Sequence, residues 1–124
     1  MKAGMKVDEN EWLYRRSWPN KNYMNPDLTP TSRVFKLRPK DEGKLSVDVK
    51  SMTTAAKSLG DPERFYLYEL PNKAILQIES AKLDTIHDPL PDGANDAHAL
   101  IIGMDIDDEI TPGLLAKACK RVFI

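Results

Sequence analysis

Between Leu45 and Lys50 the chain alternates strictly, with Leu45, Val47 and Val49 interleaved by Ser46, Asp48 and Lys50. Successive side chains of an extended strand point to opposite faces, so this period of two describes a strand with one apolar and one polar side. A sheet that accepts it commits one face to a core and leaves the other able to meet water. Further strand-like segments flank it. Residues 12–18 are rich in aromatics and end at Pro19, which cannot donate to a ladder. Val34, Phe35 and Leu37 lie between Arg33, Lys36 and Arg38 and are closed by Pro39; with the turn at residues 40–43 they suggest a hairpin onto the 45–49 strand. Phe65 to Tyr68, the apolar Ile75, Leu76 and Ile78, and Thr85 with Ile86 add three more candidates. The near-continuous apolar run at 97–102, bounded by Gly103, is expected to be the central strand, covered on both faces.

Helix signals are fewer. Ser51 or Thr53 can cap a helix through Ala55, Ala56 and Leu59, with Gly60 at its end and Asp61-Pro62 enforcing the stop. Residues 80–83 suit a short helical turn. Thr111 before Pro112 opens a C-terminal helix expected to reach about Val122, with Leu114, Leu115, Ala118, Cys119 and Val122 on its inner face. Strands outnumber helices and no strand–helix–strand rhythm is present. The fold expected is therefore α+β: a mainly antiparallel sheet of five or six strands with two helices, the C-terminal one packed on the sheet. A chain of 124 residues has room for one core, so residues 11–124 are expected to form a single domain behind a flexible N-terminus, residues 1–10.

Charge and cysteine usage narrow the function classes. Eighteen basic against nineteen acidic side chains leave a net charge of -1, so no global field draws the chain to nucleic acid or acidic membranes. No apolar stretch approaches the roughly 20 residues that span a bilayer, and the first ten residues lack the apolar segment of a secretory signal. One cysteine, Cys119, excludes an intrachain disulfide and a Cys-rich zinc site; a cytoplasmic location is expected.

Phosphate-loop, dinucleotide and nucleophile-elbow glycine motifs are all missing. His87, Asp88, Asp92, Asp96 and His98 offer ligand chemistry for a metal, but Asp and Asn in a Pro/Gly-rich loop are explained by turn formation, and no metal or other cofactor is assigned. Asp105 to Glu109 lacks the glycine and distal glutamate of a calcium loop and suits the positive end of the helix that follows. Arg15 and Arg16 are more informative. As strand neighbours they point to opposite faces, and the inward one needs a partner: a structural carboxylate, or an anionic ligand shared with Ser32, Arg38 or His98. His98 interrupts an apolar run beside a polar loop and is the side chain best suited to proton transfer. Two long loops, 19–31 and 87–96, are candidate site-formers.

Three stretches, Leu45-Ser46-Val47-Asp48, Asp88-Pro89-Leu90-Pro91 and Ala97-His98-Ala99, are similar to a layout found in small uncharacterised bacterial proteins with arginines near the start. In those relatives the histidine follows an Asn-Pro-Ala-like turn, where this chain has Asn95-Asp96-Ala97. The resemblance implies no activity. Two functions follow from the residues. The first is a non-catalytic binding or accessory domain acting through a protein partner, with aromatics such as Trp18, Tyr23 and Tyr66 as anchors. The alternative is a small enzyme or ligand-binding protein for an anionic substrate, with Arg15, Arg16, Ser32 and Arg38 holding charge and His98 moving a proton. Nucleic-acid binding ranks last, resting on the local strip Arg33, Lys36, Arg38 and Lys40 beside Phe35.

Overall fold

The computed structural model describes residues 3–123. Six strands, β1 (Trp12–Ser17), β2 (Leu45–Val49), β3 (Tyr66–Pro71), β4 (Asp84–His87), β5 (His98–Ile102) and β6 (Lys120–Val122), form one antiparallel sheet in the order β4-β5-β2-β1-β3-β6. Three α-helices accompany it: α1 (Ala55–Leu59), α2 (Asn72–Leu76) and α3 (Thr111–Ala118). The fold is thus α+β, with α3 packed on the sheet. No helix among the described residues is long and apolar enough to cross a membrane.

The alternation in β2 sorts the two faces. Leu45, Val47 and Val49 join Leu13, Leu70 and Ile101 on one side, where Ile75 of α2 and Leu115 of α3 close the main core. Each fully buried leucine or isoleucine there contributes on the order of 1.5–3 kcal/mol of transfer free energy. On the other side only a small cluster, Tyr14 and Leu67 under Leu59 of α1, is covered. On the same side Ser46 stays exposed and Asp48 half-buried, because α1 reaches only as far as Asp48 and leaves the rest of the β2–β5 half uncovered.

Several expectations are corrected. Residues 32–35 form a 3-10 turn, Ser32–Phe35, rather than a strand, because Val34 and Phe35 both bury against the main core and an alternating strand would bury only one of them. The 73–78 segment enters as α2: Asn72 is held by its side chain, which donates to the Val7 and Asp8 carbonyls at 3.1 Å each and accepts from Thr85 Oγ1 at 2.6 Å, and this anchors the helix start. β5 is next to the edge strand, not central; β2 and β1 hold the middle. α3 stops at Ala118, and the residues after it form the edge strand β6 along β3. Its start is capped by Asp108, whose carboxylate accepts from the Ile110 and Thr111 amides at 2.9 Å.

The N-terminal segment, expected to lack order, lies along β4. Gly4 N donates to His87 O, His87 N to Met5 O and Val7 N to Thr85 O, each at 2.8 Å, and Val7 is buried. Edge strands need a cover, and these bonds supply it.

Candidate functional site

A cleft of about 520 Å³ opens on the polar face of the sheet, beside α1. This is within the size range of small-molecule sites, roughly 300–1,000 Å³. Its floor follows from strand register. Asp48 and His98 are direct partners across β2 and β5, and Arg16 projects from β1 to the same side as Tyr14. Lys57 and Ser58 reach in from α1, Arg64 and Phe65 from the segment joining α1 to β3, and Trp18 and Arg38 from the opposite rim. Thr54 caps α1, its hydroxyl accepting from Lys57 N at 3.2 Å, and Gly60 ends it with φ 73°. A Cβ at Gly60 would lie 3.0 Å from Arg16 Nη1, so the glycine both turns the chain and leaves room for the arginine.

The two neighbouring arginines take opposite roles. Arg15 borders the cleft, but its guanidinium is committed: Nε and Nη2 donate to Val34 O at 3.0 and 2.8 Å, and Nη1 donates to Ser46 O at 2.7 Å. It ties the 32–35 turn to β2. Burial lowers its pKa to about 10, against the opposing attraction of Asp41, and the group remains charged at neutral pH. Its partners are backbone carbonyls, neither the structural carboxylate nor the anionic ligand that the sequence offered. Arg16 instead lies exposed, its guanidinium 4.2 Å from the centre of the Phe65 ring, while Arg64 sits 5.3 Å from the same ring. One aromatic ring thus gathers two cations. Among the described residues, neither of them nor Lys57 has a carboxylate within ion-pair distance.

Arg38 lies on the rim, 5.8 Å from the Trp18 ring and bridged to Asp41 at 3.4 Å. Apart from the committed Arg15, the cleft is therefore lined by four cationic side chains and one carboxylate, and with Arg38 paired to Asp41 the excess is two positive charges. That carboxylate is occupied: Asp48 Oδ1 accepts from Asn95 Nδ2 at 2.8 Å and Oδ2 from Ser58 Oγ at 2.7 Å.

His98 is fixed on one side. Its Nδ1 lies 2.9 Å from the Asp88 carbonyl oxygen and 3.2 Å from Asp88 Oδ2. Both partners accept, so Nδ1 carries the hydrogen, and in the neutral ring Nε2 is left as the basic nitrogen. Among the described residues Nε2 makes no hydrogen bond, and the side chain lines the cleft.

Arg16, Arg38 and His98 are thus brought together, with Arg15 beside them. Ser32 is not; it begins the 3-10 turn packed against α3, on the other side of the sheet. The 87–96 loop contributes Leu90 and Asn95, whereas nothing from 19–31 lines the cleft. Sequence reasoning missed Asp48, Lys57, Arg64 and Phe65. For Asp48 the signal was present, since the alternation placed it on the polar face; for the others none was, because their convergence depends on how α1 crosses the sheet. Cys119 is packed at the end of α3, and burial pushes its thiol up to about 12, which leaves it protonated at neutral pH. No family model, curated protein or solved structure matches the chain. Asp48 and His98 line the cleft, and Asp88 contacts His98 from behind it.

Proposed function

We propose that the cleft binds a small, multiply charged anion of the phosphate type. The observation that carries this reading is the excess of positive charge on a concave surface, with Arg16, Lys57 and Arg64 lacking carboxylate partners among the described residues and the single lining carboxylate already hydrogen-bonded twice. Guanidinium groups recognise phosphate through paired N–H donors, and Arg16 and Arg64 both line the cleft without carboxylate partners among the described residues. Titration of the protein with pyrophosphate, followed by amide NMR, tests it. Saturable shifts confined to the strands and loops around Arg16, Arg64 and His98, weakening as salt rises, are expected; shifts scattered over the surface contradict it.

A second reading is favoured by a separate feature. An apolar groove of about 460 Å³ runs beside the edge strand β6, bordered by Leu59, Tyr66 and Val122, with Phe123 74% exposed. An accessory domain acting through a protein partner would use this side, since exposed aromatics anchor interfaces. Sedimentation showing a monomer, together with no stoichiometric protein co-purifying from the native host, would count against it. We place the protein in a reducing, cytoplasmic setting on the strength of its lone, unpaired cysteine.

A further inference from the structure

We infer that the cleft is a catalytic site for ribonucleotide phosphodiesters, in which His98 removes the proton from a 2′-hydroxyl so that this oxygen attacks the adjacent phosphorus. The inference rests on the anion-binding reading and extends it to chemistry. A base needs a fixed ring, a free nitrogen and a substrate beside it. Asp88 fixes the ring through its carbonyl and carboxylate oxygens, which leaves Nε2 as the basic nitrogen of a side chain that lines the cleft. Among the described residues no serine, threonine or cysteine side chain hydrogen-bonds to His98, so the protein supplies no activated nucleophile of its own. A ligand that brings its own nucleophile suits this arrangement. A phosphodiester with a neighbouring hydroxyl carries both the anion that the cleft selects and the proton that His98 can take.

The remaining groups fit that substrate. Asp48, directly across from His98, holds its carboxylate in place through Asn95 and Ser58, and each of its oxygens retains a lone pair for a sugar hydroxyl. Arg16 and Arg64 line the same cleft and supply the cationic donors that the charge growing on the phosphoryl oxygens calls for. Trp18, 41% exposed on the rim, offers a face on which an unpaired base stacks. A net charge of -1 gives the chain little pull on a long duplex, so a short single-stranded segment is the ligand that this cleft suits.

The step balances without a co-reactant. The 2′-oxygen loses its proton to Nε2 and forms a bond to phosphorus; the bond from phosphorus to the 5′-oxygen breaks with its electron pair. That oxygen takes a proton from water, and the imidazolium returns one to water. The products are a 2′,3′-cyclic phosphate and a free 5′-hydroxyl.

The test uses the whole protein with the ribodinucleotide UpA and its 2′-deoxy counterpart. Binding is read by amide NMR and cleavage by chromatography of the products. We expect both to bind at the cleft, only UpA to be cleaved, and the His98→Gln protein to bind UpA equally well while cleaving it about 100- to 10,000-fold more slowly. Asp88→Asn provides a second variant should the first fold poorly. It keeps the carbonyl contact and loses the carboxylate, so kcat falls while KM stays. Bound but intact UpA overturns the catalytic inference and leaves anion binding standing. No binding of either dinucleotide, with no shift from pyrophosphate, overturns both. Cleavage at an undiminished rate by His98→Gln removes His98 from the chemistry.

Discussion

Arg15 and Arg16 show how one step along a strand separates structure from function. Both are arginines, yet alternation sends one guanidinium to backbone carbonyls and the other to an open cleft. Replacing Arg15 by Ala removes three charge-assisted hydrogen bonds and strands two carbonyls, so unfolding in guanidinium should show a loss of about 2–4 kcal/mol. Replacing Arg16 by Ala removes an exposed side chain and should change stability by less than about 0.5 kcal/mol while weakening pyrophosphate binding. His87 is a residue of a third kind. It is 1% exposed, and among the described residues neither ring nitrogen has a hydrogen-bond partner. Burial holds its pKa below the ordinary 6.5, so the folded protein binds the proton less readily than the unfolded chain. Stability is therefore complete above that ordinary value and falls as the pH drops from it toward the lower folded value. Asp41 and Asp108, whose pKa values are lowered by hydrogen bonds to Arg38 and Thr111, add a further loss below about pH 4. Denaturation midpoints measured across pH 4–8 should decline on the acid side, and His87→Phe should flatten only the upper part of that decline.

At the scale of elements, legibility followed pattern strength. The 45–49 strand was readable because five residues alternate without exception, and α1 because Gly60 marks its end, although its cap is Thr54 and not the expected Ser51 or Thr53. The 32–35 turn and α2 were not, since short apolar runs fit a buried turn as well as a strand and only tertiary anchors decide. For α2 that anchor is Asn72, which also secures the N-terminal segment against β4. Asn72→Ala should cost about 1–3 kcal/mol and speed amide exchange over residues 4–7, where exchange unchanged from wild type would separate the two. The connection from β5 is equally constrained. Gly103 has φ +99°, and a Cβ there would approach Lys82 O to 2.0 Å. Gly103→Ala should therefore destabilise by about 3 kcal/mol or more, read from thermal unfolding.

The whole molecule is an asymmetric sheet: one face sealed by α2, α3 and the 32–35 turn, the other covered by α1 only over its β1–β3 half. Half the site could be read in advance, because arginine and histidine chemistry is visible residue by residue. What could not be read was which loop would complete it, since 61–65 and 87–96 reach the cleft through the path of α1 and the β4–β5 hairpin, whereas 19–31 does not. Near-neutral overall charge likewise concealed a local excess of two positive charges. The central claim is that this excess is an anion site. Calorimetric titration with pyrophosphate at low salt, on wild type and on the Arg16→Ala/Arg64→Ala double variant, tests it most directly. The account predicts saturable binding by the wild type that weakens at least tenfold in the variant, whose fold is checked by its unfolding midpoint; equal binding by both proteins, or none by the wild type, would contradict it.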